Sequence, residues 1–459
     1  MPKIKRWDNE TSCRPGRRAD SGNFLTLGAY LKQNGTNVKG LLEEALSTWH
    51  DCSATLPEIE RVFTAREQSA QERKLDQFLA RIQEEAQRLP RNRPERQAAW
   101  ERINASFKEF GESALGLERE HFRLLLGDGL SAVGTQVARR ARRFDASVST
   151  VDILQASRNA WTACGLQLLG GKSMRLTPSI FAYSMLYPYT DNYLDDPAIS
   201  REEKAGFGSR FGQRLNGEPC EPANARESMI WALVGLIEGE YSREQSPEVF
   251  ESLLRIHRAQ QASIRLLRRG VGCDDVDVPA LCFEKGGASV MADGYLASGS
   301  LSPDEARFTF QWGVVLQLAD DLQDVRQDRL DGVLTIFSQQ ARHGPLDEVT
   351  GRLLQFARRV MPLMQHLPGS GSSPLRQLIQ RSSVSLIISS AGAASELYTA
   401  DFLRNLEVHS PFRFAFLDER QTRFTRRGGM VAKLFEAFLA GDEDEPAFPL
   451  LPGAFMPRC

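Results

Sequence analysis

Histidine is scarce in this chain, with 6 in 459 residues, and the 7 cysteines form no Cys-x-x-Cys pair and no zinc-type spacing with histidine. That excludes a soft-ligand structural metal centre. An odd, unframed set of cysteines reads as reduced thiols in a cytoplasmic setting. Excess charge is also missing. The 57 basic and 59 acidic residues leave a formal net charge of -2, so no global field draws the chain to nucleic acid or to an anionic membrane. No apolar run approaches the ~20 residues of a membrane span. The best run, residues 384–394, reads as a buried helix, and peripheral membrane contact is all that stays open. Residues 1–23 carry Lys3, Lys5 and Arg6 without an apolar centre, which is no secretory signal. Alternating strand patterns, a P-loop, a Ser-His-Asp set and a strand followed by GxGxxG are absent too.

What is present is helical periodicity, and the expected fold class is all-α. Residues 1–22 read as a polar, Arg-rich disordered tail, and 441–459 as an acidic, Pro-rich tail. Between them lie an amino-terminal helical region, 23–145, and a helical core, 146–440. The charged stretch 58–102 reads as a solvated helical hairpin or extension, and Arg139, Arg140, Arg142 and Arg143 as a solvated helix face.

Chemistry concentrates between residues 170 and 337. Thr177-Pro178 supplies an N-cap with proline at the first helical position. The helix it starts runs to DNYLDD and stops before Pro197. Asp191 and Asp195 are four apart, so they share a face about 6 Å apart along the axis, with Asp196 beside them. A second helix starts at the capping box Ser302-Pro303-Asp304-Glu305 and delivers DDLQDVRQD. Asp320, Asp324 and Asp328 lie at i, i+4 and i+8; Asp321 is off that stripe. Each carboxylate at a helix C-terminus costs ~0.3–1 kcal/mol, and like charges at i, i+4 add ~0.2–0.5 kcal/mol. A fold that repeats this cost twice is expected to offset it with bound cations. Hard oxygen ligands without His or Cys suit Mg²⁺.

These residues resemble a family. DNYLDD and QLADDLQDVRQD are similar to the two aspartate motifs of class I isoprenoid synthases, which include polyprenyl diphosphate synthases, squalene and phytoene synthases, and terpene cyclases. The resemblance spans roughly 150–340. It implies a helical bundle around a central apolar cavity capped by the two clusters, with three Mg²⁺ ions bridging them to a prenyl diphosphate. Asp191, Asp195, Asp320, Asp324 and Asp328 would be metal ligands, and Asp196 an extra ligand or outer partner. Lys285, in FEKGG, sits where prenyl synthases have a diphosphate-binding lysine. Arg265 is a further candidate, and Gly170-Gly171-Lys172-Ser173-Met174-Arg175 resembles the GGKxxR that binds a second diphosphate, so Lys172 and Arg175 join the list. Arg326 and Arg329 would close over diphosphate or pair with aspartates on their own helix. Tyr183, Tyr187, Phe308, Phe310 and Trp312 fit the walls of a cavity for a cation, although aromatic stripes at helical spacing are more often plain core, and His257 reads as structural.

The expected activity is ionisation of an allylic prenyl diphosphate to build a terpenoid skeleton by cyclisation or prenyl coupling. Chain elongation, diphosphate hydrolysis without carbon–carbon bond formation, and a non-catalytic helical interaction protein are the alternatives. A homodimer is compatible with the family.

Overall fold

The computed structural model describes residues 37–126, 129–196, 198–263, 266, 276–369, 373–441 and 445. The expected amino-terminal tail, most of the expected carboxy-terminal tail, Arg265, and the side chain of Asp195 lie outside the described residues; Glu445, within the expected carboxy-terminal tail, is buried rather than solvated. The fold is all-α: eighteen α-helices and no strand among the described residues. In chain order they are α1 (Val38–His50), α2 (Ala65–Arg88), α3 (Arg93–Leu115), α4 (Arg119–Leu125), α5 (Leu130–Phe144), α6 (Thr150–Leu169), α7 (Pro178–Asp195), α8 (Arg201–Asn216), α9 (Ala225–Glu238), α10 (Pro247–Ser263), α11 (Val278–Ser298), α12 (Pro303–Gln323), α13 (Val325–Asp331), α14 (Ile336–His343), α15 (Asp347–Val360), α16 (Ser373–Ala393), α17 (Ala400–Glu407) and α18 (Phe414–Leu439). No described helix is long and apolar enough to cross a membrane.

The two helices read from their caps form as expected. Thr177 caps α7 through its side chain, and Ser302 and Glu305 make a complete capping box on α12. Helix α11 is buried on nearly every side, as an all-round apolar helix requires. It packs against α6, α7, α10 and α12. Its contact with α12 is the most extensive between helices among the described residues. A Cβ at Gly313 would stand 2.2 Å from the carbonyl oxygen of Gly286, and one at Gly287 would stand 2.4 Å from the Phe310 ring. Phe308 stacks on Trp312 with ring centroids 5.5 Å apart. These aromatic residues of α12 are core, as read from the sequence.

The charged stretch forms a hairpin, α2–α3, but it is not simply solvated. Glu85 is fully buried and takes a two-pronged bond from Arg102, at 2.8 and 2.7 Å. Arg413 at the start of α18 reaches Glu72 at 2.8 Å, and Arg420 reaches Asp76 at 2.7 Å. Arg96 grips Glu445 at 2.6 and 2.9 Å in a buried pair. The arginines of α5 depart from a solvated face as well: Arg139 is buried against the Glu445 carbonyl, and Arg140 donates to the Leu176 carbonyl at 3.1 Å. Charge periodicity reports which face is polar, not whether a partner covers it. Residues from Val38 onward cluster as one unit, with α5 packed on α6 across the boundary expected near residue 145.

Because the α11–α12 contact leaves no room for a methyl group, Gly313→Ala is expected to destabilise the protein by ~1–3 kcal/mol. Gly235→Ala, where the added atom meets nothing within 4 Å, should be neutral or stabilising by up to ~1 kcal/mol. Urea unfolding midpoints check the contrast.

Candidate acidic site

Helix α7 carries Tyr183, Tyr187 and Asp191 at i, i+4 and i+8, on one stripe. Helix α12 carries Trp312, Leu316 and Asp320 in the same spacing. Tyr187 is 38% exposed, and carboxylates of both motifs, Asp191 and Asp320, act on its phenol. Burial first, then these two carboxylates, hold the phenol well above its ordinary range, and Arg158 of α6 opposes them. Gln260 of α10 donates to Oδ1 of Asp191. Residues from the two motifs, 129 positions apart (320 minus 191), thus both act on the charge state of one side chain.

The second cluster is less regular than a continuous helix predicts. Helix α12 ends at Gln323, Asp324 occupies the cap with ψ near 4°, and α13 resumes at Val325. The helical hydrogen bonds from Asp324 N to Asp320 O and from Asp328 N to Asp324 O persist, each 2.9 Å. The i, i+4, i+8 placement thus survives the break. Asp320 is exposed and Asp328 half-buried, whereas Asp321 is only 7% exposed. Gln317 donates to Asp321 Oδ1 at 2.7 Å, while Oδ2 is buried without a hydrogen-bond partner. The Cys282 thiol lies against this carboxyl, and the Lys285 ammonium favours its charged form. Burial dominates, lifting Asp321 to about 6. Asp328 rises to about 7, through burial and then through Asp321, Asp324 and Asp320, again with Lys285 opposing.

Lys285 thus acts on two carboxyls of the second cluster, Asp321 and Asp328. The other basic candidates are distributed differently. Lys172 donates from Nζ to the Ser298 carbonyl at 3.1 Å, at the end of α11 opposite Lys285. Thirteen helical residues (298 minus 285) at ~1.5 Å each put that carbonyl roughly 20 Å along α11 from Lys285. Arg175 is exposed in the same loop. A small pocket lined by Leu166, Leu169, Leu301 and Leu367 lies at that far end. Neither Lys172 nor Arg175 is brought to the acidic site. Asp196 is also drawn elsewhere: Oδ1 accepts from Ala198 N at 2.9 Å, and Oδ2 lies 3.9 Å from Arg226. Arg326 pairs with Glu396 at 2.6 Å, and Arg329 acts on the same glutamate, so neither pairs within its own helix as one reading had it. His257 is a core residue, Nε2 being 2.9 Å from the Gly208 carbonyl. Gly286 and Gly287 serve helix packing.

Three neighbours went unread in the sequence: Arg158, Gln260 and the site role of Tyr187. Only Tyr187 left a signal, its position one turn before Asp191.

The donors are of the type a hard cation takes: all are carboxylate oxygens, and Asp328 is pushed towards neutrality by burial and then by its like-charged neighbours. Among the described residues, no three of these groups already stand in metal-binding geometry.

Comparison with known proteins adds little. No family model matches the sequence, and no curated protein does. Among solved structures, a geranylgeranyl pyrophosphate synthase from Corynebacterium glutamicum is 16% identical, over 63% of this chain and 92% of that one, with a TM-score of 0.29. At that score the likeness carries no argument.

The raised carboxyls make stability depend on pH. A carboxyl whose folded value lies above its unfolded value of ~3.9 contributes stability at low pH and loses it as pH rises through the folded value. Without divalent ions, the wild type should therefore lose stability from about pH 5 to about pH 8 more steeply than Asp328→Asn. The variant should be the more stable of the two at the upper end. Equal slopes in thermal melts would remove this account of Asp328.

Proposed function

We propose that the protein is a Mg²⁺-dependent enzyme that ionises an allylic prenyl diphosphate and forms a terpenoid carbon skeleton. What supports the reading is that carboxylates of both motifs, Asp191 and Asp320, act on one phenol, that of Tyr187. Asp191, Asp195, Asp320, Asp324 and Asp328 would hold the ions. Magnesium, when bound, supplies neutralisation of the diphosphate, so that it can depart as a stable anion.

The chain's own residues account for the rest. Lys285 now leans its charge on Asp321 and Asp328, and a diphosphate would offer it a stronger partner. Arg158 stands on the α6 side of the same site, within electrostatic reach of Tyr187. Below the acidic ends, the apolar and aromatic stripes of α7 and α12 provide surface that does not capture a carbocation as water would.

Chain elongation needs a second diphosphate held beside the first. The loop that resembles such a site is at the other end of α7, which favours cyclisation or coupling over elongation.

Two experiments test this. The protein is incubated with ten-, fifteen- and twenty-carbon allylic diphosphates, with and without Mg²⁺, recording diphosphate release and organic products. Asp191→Asn and Asp320→Asn should abolish turnover and leave the fold intact or slightly more stable, since each removes repulsion. Simple alcohols as the only products would point to hydrolysis; no Mg²⁺-dependent release at all would end the enzyme reading. In the second, Lys285→Ala and Arg158→Ala are expected to lower turnover about tenfold or more, by loss of a charge-assisted contact worth ~1.5–3 kcal/mol. Lys172→Ala and Arg175→Ala should leave it unchanged. The reverse ranking would relocate the diphosphate.

A further inference from the structure

Helix α11 is enclosed by its neighbours, and from residue 282 to residue 297 only Glu284, Lys285 and Ser289 keep partial accessibility. Lys285 and Ser289 are four apart, and Asp293 is the next residue of that stripe. The Tyr183 hydroxyl of α7 donates to the Ser289 carbonyl at 3.2 Å. Tyr183 is buried and lies one turn further from Asp191 than the accessible Tyr187. Accessibility along the two stripes thus ends where they are bonded together. Just past that point is Asp293, 1% exposed. Eight helical residues (293 minus 285) at ~1.5 Å each put it ~12 Å along α11 from Lys285.

Asn159 of α6, itself partly accessible, joins the three helices there. Its amide nitrogen donates to Oδ1 of Asp293 at 2.9 Å and to Oγ of Ser184 at 3.2 Å. Ser184 fixes which way that amide points. Its own hydroxyl proton goes to the Ile180 carbonyl at 2.7 Å, so its oxygen can only accept, and nitrogen must face it. Two polar atoms are left over. Among the described residues, nothing donates to Oδ1 of Asn159, and Oδ2 of Asp293 makes no hydrogen bond. Burial holds the Asp293 carboxyl well above the ordinary carboxylate range, against the Asn159 bond, so it keeps its proton. With Oδ1 accepting, that proton belongs on Oδ2. A spare donor and a spare acceptor on two bonded groups match a hydroxyl, which both accepts and donates; a hydrocarbon would leave both unmet.

We propose that Asp293 and Asn159 form a binding site for an uncharged hydroxyl at the end of the ligand remote from its diphosphate. The inference rests on the prenyl diphosphate reading and narrows it. Either the distal half of the substrate carries the hydroxyl, or water supplies it and captures a cation. In the second case the water oxygen pair forms the C–O bond, and the proton released passes to the departed diphosphate.

The probes are ten-carbon prenyl thiolodiphosphates, in which a bridging sulfur blocks ionisation, with and without a hydroxyl on the last carbon. Binding to the full-length chain is measured by calorimetry in Mg²⁺. Wild type should bind the hydroxylated probe about tenfold or more tightly than the plain one. Asp293→Leu should lose that preference and melt at or above the wild-type temperature, because a buried carboxyl is gone. Asp293→Asn should keep the preference, since an amide also places a donor there. A hydroxyl from water shows instead in turnover of the plain ten-carbon diphosphate in water labelled with heavy oxygen. Wild type would then give an alcohol labelled away from the carbon that bore diphosphate, and Asp293→Leu a hydrocarbon. Equal binding of the two probes, together with no label away from that carbon, overturns the hydroxyl site and leaves the enzyme reading standing. A loss in Asp293→Asn as severe as in Asp293→Leu also overturns it, because the carboxyl would then act as an anion. If neither probe binds in Mg²⁺, the diphosphate reading itself fails and takes the inference with it.

Discussion

Where Gly286 of α11 meets Gly313 of α12, the helices stand so near that neither can carry a side chain. Each glycine in a helix interior costs ~0.5–1 kcal/mol relative to alanine. The return is register. With the backbones in contact, Lys285 and Cys282 are delivered to Asp321 and Asp328 on the neighbouring helix. If α11 were displaced, Asp321 would be a buried carboxyl whose only help was Gln317. A single close contact thus decides both the core packing and the charge balance of the acidic site.

Among the described residues Lys285 acts on Asp321 and Asp328, yet burial and neighbouring carboxylates still lift both above the ordinary carboxylate range. On α7, by contrast, Gln260 donates a neutral amide hydrogen to Asp191. The two acidic helix ends thus have different surroundings.

Much of this was legible in the sequence wherever the cause was local. Helices α7 and α12 were found because Thr177-Pro178 and the box from Ser302 to Glu305 act on their own neighbours. Lys285 was singled out by the resemblance of FEKGG, not by helical periodicity. The loop around Lys172 was misassigned for a reason the sequence already contained. A helix that starts at Pro178 and ends in aspartates must put the loop before it at the opposite end, ~27 Å away for 18 residues. Arg158 and Gln260 could not be found at all. Each is one polar residue on an ordinary helix, brought to Asp191 only by packing on α11. The buried glutamates of the hairpin were missed for the same reason, since Glu72 meets its arginine 341 positions later.

Those long-range pairs also fix the order in which the chain can finish folding. Arg96 meets Glu445 across 349 positions, and Asp76 meets Arg420 across 344. While the chain is being synthesised, the α2–α3 hairpin emerges early and must wait, with Glu72 and the rings of Phe78 and Phe110 uncovered, until nearly the last helix has left the ribosome. Closing such loops makes completion slow relative to helix formation. Cells expressing this protein carry a half-finished surface for most of each synthesis cycle. The dependence on chaperones should therefore be set by the ends of the chain, not by its acidic centre.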